Sequence, residues 1–316
     1  MSDAAVSSYV PLAVTYRSDV LESVHHAAVV ALNQDGTVAF ALGDANVGIF
    51  PRSSTKPLQA HAMVQSGLDL PDELLALVCA SHDGRAMHLD GARRILQSVG
   101  LDEKEAEQAM RNGVQRSSLL QNCSGKHSGM IATCVAAGWS TDGYLHFEHP
   151  LQQAITNGIP ALAQDPVLGI GIDGCGAPAH VVSLIGLARS FRNMAIGDAG
   201  EAGLRIHQAM TTFPDMVGGP DRDVSLLMKG IPGLMAKDGA EGVFVAALPD
   251  GRAVALKVAD GANRPRPPLM RAALRALGID ISQVRPDAFE STILGHGNRV
   301  GEVRIVGELA QIGGAI

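Results

Sequence analysis

Arg52-Ser53-Ser54-Thr55-Lys56-Pro57 follows two strand-like runs and opens a long helical stretch, and its Ser-x-x-Lys spacing decides how the rest of the chain is read. A serine hydroxyl is a weak nucleophile until a nearby base takes its proton. A lysine three residues on lies one helical turn away, on the same face, and can be that base. The amine must be neutral to accept the proton, so its pKa has to be depressed by burial or by a second cation. Lys237, in Lys237-Asp238-Gly239 far downstream, is the candidate for that cation. Taken alone, the spacing also describes an ordinary solvated helix start. Pro57 adds a constraint, because proline disfavours helical geometry in the residue before it. The helix proper is therefore expected to begin near Pro57, with Ser53 to Lys56 in a distorted first turn.

The order of elements carries the reading further. Upstream, Val24 to Leu32 is strand-like, and Asn33-Gln34-Asp35-Gly36 turns it into a second strand, Thr37 to Leu42; Asp-Gly is a strong hairpin signal. Downstream, Gly242 to Leu248 and Ala253 to Val258 form another hairpin about Pro249-Asp250-Gly251-Arg252, and Glu302 to Leu309 is a last strand. Between the hairpins the periodicity is helical: from Asp72, over His88 to Val99, through His127, Met130, Ile131, Cys134 and Val135, and over Pro150 to Ala163, His180 to Phe191 and Glu201 to Thr212. Pro268 to Leu277 is a later helix. Strands at both ends of a helical middle predict an α+β fold. The sheet is assigned to about 1–50 and 235–316 and the helical lobe to about 51–234, within a single unit. The β-lactamase and penicillin-binding fold distributes its strands similarly, with Ser-x-x-Lys opening the first helix and Lys-Thr-Gly downstream.

Hydrophobic residues make up 46% of the 316-residue chain and charged residues 18%, the balance of a folded protein with a sizeable core. Net charge is −7 with no lysine- or arginine-dense stripe, which argues against nucleic acid as a partner. Met1 to Val6 has neither the basic start nor the apolar core of a signal peptide. No apolar run approaches the length of a membrane span. A cytoplasmic protein without a membrane partner is expected, unlike the exported penicillin-binding proteins and β-lactamases. Four cysteines in a chain this long do not make a disulfide framework.

Three further segments are polar and bent by glycine. Cys79-Ala80-Ser81-His82-Asp83-Gly84 closes an apolar helix; it reads either as a glycine-capped helix end or as a way of presenting Ser81 as a second hydroxyl, shuttling protons with Lys237. Asn122-Cys123-Ser124-Gly125-Lys126-His127 precedes a helix, and its free backbone N–H groups would suit a carboxylate. Ile172-Asp173-Gly174-Cys175-Gly176 is a second tight loop. Cys123 and Cys175 lie in these loops, whereas Cys79 and Cys134 sit in apolar runs as small hydrophobes. Thiolates bind zinc well, but two cysteines are too few for a closed structural site. Spacing alone leaves Cys123 and Cys175 open between metal ligands and ordinary loop residues. His127 stands apart from the other histidines because it lies inside the polar loop.

These segments, with His26-Ala27-Ala28-Val29-Val30, Thr141-Asp142-Gly143-Tyr144 and Lys237-Asp238-Gly239-Ala240, resemble the Rhizobium etli-type L-asparaginases, the class 3 or asparaginase II family, over nearly the whole chain. The resemblance implies a β-lactamase- and glutaminase-like fold, a homodimer, and hydrolysis of L-asparagine to L-aspartate and ammonia. It implies two Ser-Lys pairs, Ser53 with Lys56 and Ser81 with Lys237. It also implies a zinc-type site from Cys123, Lys126 and Cys175, with water completing the shell. Lys126 would have to be a neutral amine to donate to the ion. Arg52, Asn122, His127 and Asp173 stand in the matched motifs as substrate-binding candidates. The chain departs from the family type in being shorter before Lys237 and at its end, and Ser225 stands nearest to an expected cysteine. Glutamine or another small amide is the neighbouring substrate, since one methylene changes selectivity by only ~1–3 kcal/mol. A non-catalytic binder of amino acids or metal is the alternative from another class.

Overall fold

The computed structural model describes residues 8–102 and 118–313, so the start read above for a signal peptide lies outside the described residues. Its main sheet is antiparallel, in the order β10-β11-β1-β2-β9-β8-β7, with β3 paired beside β2. The strands are β1 (Val10–Arg17), β2 (Val20–Leu32), β3 (Val38–Leu42), β7 (Met235–Gly239), β8 (Val243–Ala247), β9 (Ala253–Val258), β10 (Ile293–Gly295) and β11 (Asn298–Ile305). Strands from both ends of the chain thus meet at its centre, where β2 pairs with β9 from Ala27↔Val258 to Leu32↔Ala253. This is the α+β layout expected from the order of elements.

Both anticipated hairpins form for the anticipated reasons. Asp35 Oδ1 accepts from Thr37 N (2.9 Å) and Thr37 Oγ1 (2.6 Å), closing the turn between β2 and β3. Leu248 N donates to Arg252 O at 2.9 Å across Pro249-Asp250-Gly251, closing β8 on β9. β8 is buried at every position because helices cover the sheet: Leu184–Ile196 packs on β2, β8 and β9, and Arg266–Ala276 on β8 and β9. A strand buried on both faces reads as a continuous apolar run rather than an alternation.

The middle of the chain is mainly helical, and Pro150–Ala163 has the anticipated bounds. One segment differs. His180 to Phe191 was expected as a single helix, but Pro178–Ser183 is a strand, β6, and the helix runs Leu184–Ile196. Val181 and Val182 favour extended backbone, and Ser183 is the N-cap, its Oγ accepting from Gly186 N at 3.0 Å. β6 lies between β4 (Gly48–Ile49) and β5 (Gly169–Ile172) in a second, three-stranded sheet. Similarly, Glu302 to Leu309 is strand only as far as Ile305; Gly307–Ile312 is a short helix. Among the described residues, no helix is long and apolar enough to cross a membrane.

Candidate active site

Ser53 sits on a 3₁₀ turn, Arg52–Thr55, that runs into the helix Lys56–Gln65. Pro57 falls in the first helical turn, where its missing N–H costs nothing. In 3₁₀ geometry residues i and i+3 eclipse, so the Ser53–Lys56 spacing keeps its meaning despite Pro57. Arg52 holds a left-handed backbone, φ 55°, unusual for a residue with a side chain. Its guanidinium is anchored on Asp173 Oδ1, from Nε at 2.9 Å and Nη2 at 2.8 Å. Arg52 and Asp173, each expected as a substrate contact and far apart in the chain, therefore meet beside Ser53.

β7 supports this turn from below. Ser54 Oγ donates to Lys237 O at 3.3 Å. A Cβ on Gly239 would lie 2.2 Å from Pro51 O and 3.0 Å from Ser54 Oγ, so only glycine lets strand and turn approach this closely.

Lys56 is 3% exposed, and its Nζ donates to Ala80 O and to Ser81 Oγ, the latter at 3.1 Å. Burial pulls its pKa from an ordinary 10.5 to about 7; Lys237 and Lys126 press the same way, while Cys123 and Cys175 resist. A substantial neutral fraction therefore exists near neutrality, the form a base requires. The resemblance paired Ser81 with Lys237. Here Ser81 bonds Lys56, and Lys237 Nζ bonds Asp238 Oδ1 at 2.6 Å and Asp238 O at 2.7 Å. Ser81 is itself held by its N–H on Val217 O, 2.9 Å. The next residue, His82, donates its N–H to Asn122 O (3.1 Å) and meets Ser124 Oγ through Nε2 (2.9 Å). Burial, then His88 and Lys56, lower the His82 pKa to about 3, so it stays neutral.

Behind Lys56 lies the thiol cluster. Donor atoms of Cys123, His127 and Cys175 all lie within 4.8 Å of one another, and Lys126 Nζ is 3.1 Å from Cys175 Sγ. Hydrogen bonding to Cys123, with His127 and the Lys126 charge, holds the Cys175 thiol well below its usual range against its burial. The same bond, then burial, pushes Cys123 up. Tyr144 OH occupies His127 Nδ1 at 2.8 Å, which leaves the buried Nε2 to the sulfur side of the cluster. A tetrahedral zinc, with Zn–S about 2.3 Å and Zn–N about 2.0 Å, needs ligand atoms about 3.5–3.8 Å apart. Two sulfurs and a His127 nitrogen are the donor types such an ion takes; being up to 4.8 Å apart, they would have to draw in by about 1 Å to hold it, with Tyr144 fixing the ring. His127, anticipated as a substrate contact, belongs geometrically to this cluster.

The cavity at Ser53 is about 10 Å³, lined among others by Arg52, Lys56, Lys126, Asp173 and His180. That is room for about one water. Outside Arg52 a wider cavity of about 480 Å³ opens, lined by Tyr9, Phe50, Ile172, Glu241 and Lys257. Asn122 is exposed and takes part through its carbonyl. The sequence reading did not find Asp238, Arg222 and Arg266, which surround Lys237. Asp238 lay inside a quoted motif, but nothing in the spacing points to either arginine.

A buried lysine bonded to the Ser81 hydroxyl, beside the turn that carries Ser53, is an arrangement that can activate a hydroxyl nucleophile. The chain belongs to the L-asparaginase II family, whose profile matches residues 13–305. No curated protein matches the chain significantly. Among solved structures it is similar to a putative β-lactamase from Bacteroides dorei DSM 17855 (15% identity, 75% of this chain and 86% of that one, TM-score 0.44). It is also similar to Mglu in its L-glutamate-binding form in 4.3 M NaCl (15% identity, 81% of this chain and 60% of that one, TM-score 0.41). Likenesses this distant carry no argument about chemistry.

Proposed function

We propose that the chain hydrolyses the side-chain amide of L-asparagine to L-aspartate and ammonia through an aspartyl ester on Ser53. The observation that carries the reading is Lys56: buried, depressed to about 7, one turn from Ser53 and 3.1 Å from Ser81 Oγ. Neutral Lys56 takes the proton of Ser53, directly or through the Ser81 hydroxyl, as Ser53 Oγ bonds to the amide carbon. The C–N bond then breaks, and the proton held by Lys56 passes to the leaving nitrogen, which departs as ammonia. Water attacks the ester with Lys56 as base again, releasing L-aspartate and restoring Ser53.

The substrate is a zwitterion, and the Arg52–Asp173 pair offers its complement. The α-carboxylate exchanges onto Arg52 and the α-ammonium onto Asp173, which opens the closed cavity at Ser53 as the substrate enters. Zinc belongs to the proposal: Cys123, His127 and Cys175 would hold it, with Lys126 as a neutral amine or water beside them. When bound it supplies a fixed positive charge at the inner wall of the site. A homodimer working in the cytoplasm is the assembly and setting proposed, and sedimentation of the purified protein tests the first.

Ammonia release from asparagine, from glutamine and from a blank, with and without chelator, tests the function. Release from asparagine well above the other two supports it. Preference for glutamine reassigns the substrate, and no release from either leaves a binding protein.

A further inference from the structure

The helix Arg266–Ala276 and the segment 278–289 that follows it line a cavity of about 610 Å³. It shares no lining residue with the cavity at Ser53 or with the wider one outside Arg52. Its volume suits a small molecule.

Arg271 and Arg275 both line it, and residues four apart on a helix are neighbours on one face. Neither guanidinium has a carboxylate or hydrogen-bond partner among the described residues, although the chain carries 32 acidic against 25 basic residues. Two like charges so placed repel each other. The helix C-terminus favours a cation at Arg275, which lies in its last turn. That does not account for Arg271, whose Nε is shielded from water without a hydrogen-bond partner. A buried donor that lacks an acceptor is a cost to the fold. The Arg271 guanidinium also lies over the Phe289 ring, 5.9 Å from its centroid, a cation–π contact that places it before any ligand arrives.

The other walls are of two kinds. Ile279, Val284 and Phe289 are buried and form an apolar floor. Asp280 stands exposed at the rim. Its Oδ1 accepts from Ser282 N at 2.9 Å, and the backbone and side chain of Ser282 hold its carboxyl below the usual range, so it stays an anion.

We infer that this cavity binds a free α-amino acid with an apolar side chain, its carboxylate on Arg271 and Arg275, its ammonium beside Asp280, and its side chain against Ile279, Val284 and Phe289. A carboxylate matches guanidinium donors through paired N–H bonds, and it relieves the repulsion between two neighbouring cations. It also brings an acceptor to the wall that holds the unpartnered Arg271 Nε. An inorganic anion would serve the arginines but leave the apolar floor uncovered and meet the charge of Asp280. A wholly apolar molecule would leave both guanidiniums unpaired. Of these, only the zwitterion meets all three walls. The inference is independent of the reading of Ser53 and Lys56.

Calorimetric titration of the full chain with L-leucine and L-phenylalanine tests it without turnover. Saturable binding of one molecule per chain is expected. Arg271→Gln combined with Arg275→Gln should weaken leucine by about tenfold or more, the loss of charge-assisted bonds. Arg275 and Asp280 are exposed, so Arg275→Gln alone and Asp280→Asn give the same reading in variants that keep the fold. Asp280→Asn should weaken leucine but not 4-methylpentanoate, which is leucine without its amino group. Failure of both amino acids to saturate overturns the inference, as does unchanged leucine affinity in the arginine variants. Inorganic phosphate or 4-methylpentanoate binding as tightly as leucine also overturns it, because the floor or Asp280 would then play no part. Leucine binding lost in Arg52→Gln instead would place the ligand beside Ser53 and overturn it equally.

Discussion

Replacing Lys56 by methionine should remove activity and, at neutral pH, relieve the fold of an electrostatic cost. The fall of the Lys56 pKa from 10.5 to about 7 corresponds to about 5 kcal/mol, at about 1.4 kcal/mol per pKa unit. Below about pH 7 the folded and unfolded chains both carry the proton, and the fold bears the whole cost. Between about 7 and 10.5 only the unfolded chain carries it, so the cost shrinks as pH rises and is gone above 10.5. Methionine fills similar volume without charge, but it forfeits the bonds to Ala80 O and Ser81 Oγ, worth about 1–3 kcal/mol. The offset between wild type and variant therefore mixes two terms, and the pH slope isolates one. Urea unfolding of both proteins between about pH 7 and pH 9, in the presence of chelator, measures it. The advantage of Lys56→Met should shrink by about 2 kcal/mol across that interval, since every other titrating group is common to the pair. A constant difference would refute the depressed pKa and with it the base.

The rate should follow the same group. The asparaginase rate should rise with pH about a midpoint near 7, where Lys56 becomes neutral, and level off above; a flat profile across that midpoint would remove lysine as the base. If the proposed zinc is bound, Cys175→Ser should lose it, read by elemental analysis, and raise KM more than it lowers kcat, because the proposed nucleophile comes from Ser53 and Lys56 without the ion; a collapse of kcat at constant KM would put the ion in the chemistry. Gly239→Ala should cost about 1–3 kcal/mol in unfolding experiments and lower kcat, since the added Cβ meets Pro51 O and displaces the turn carrying Ser53; an unchanged rate would mean that β7 does not set the turn.

Local signals in the sequence gave both hairpins, since Asp35-Gly36 and Asp250-Gly251 state their turns within a few residues. They also gave the helix Pro150–Ala163, bounded by proline and an apolar stripe. β7 falls inside the stretch assigned to the sheet, but it carries no strand period of its own, for a physical reason. Met235-Ala236-Lys237-Asp238-Gly239 has two charges and a glycine in five residues, yet every one is buried, because the two charges pair with each other and Asp238 also takes Arg222 and Arg266 from other elements. β6 was read as helix because its valines run straight into a helical period, and only the Ser183 cap separates the two. The residues that gather about the Ser53 turn stand in recognisable motifs, but their pairing is not legible there. That Lys56 turns to Ser81, and Lys237 to Asp238, is decided by how β7 and the Ala80–Ser81 segment pack about the turn. His127 shows the same limit, since only the approach of the Cys175 loop brings it within reach of both sulfurs.

An aspartyl ester on Ser53 is the intermediate that the proposed reaction requires, and rapid acid quenching with mass analysis of the Ser53 peptide detects it. During turnover of asparagine, the peptide carrying Ser53 should gain one aspartyl group, and Ser53→Ala should show neither the adduct nor ammonia release while keeping its fold. An adduct on the peptide carrying Ser81, or a Ser53→Ala protein that still turns over asparagine, would show that Ser53 is not the nucleophile.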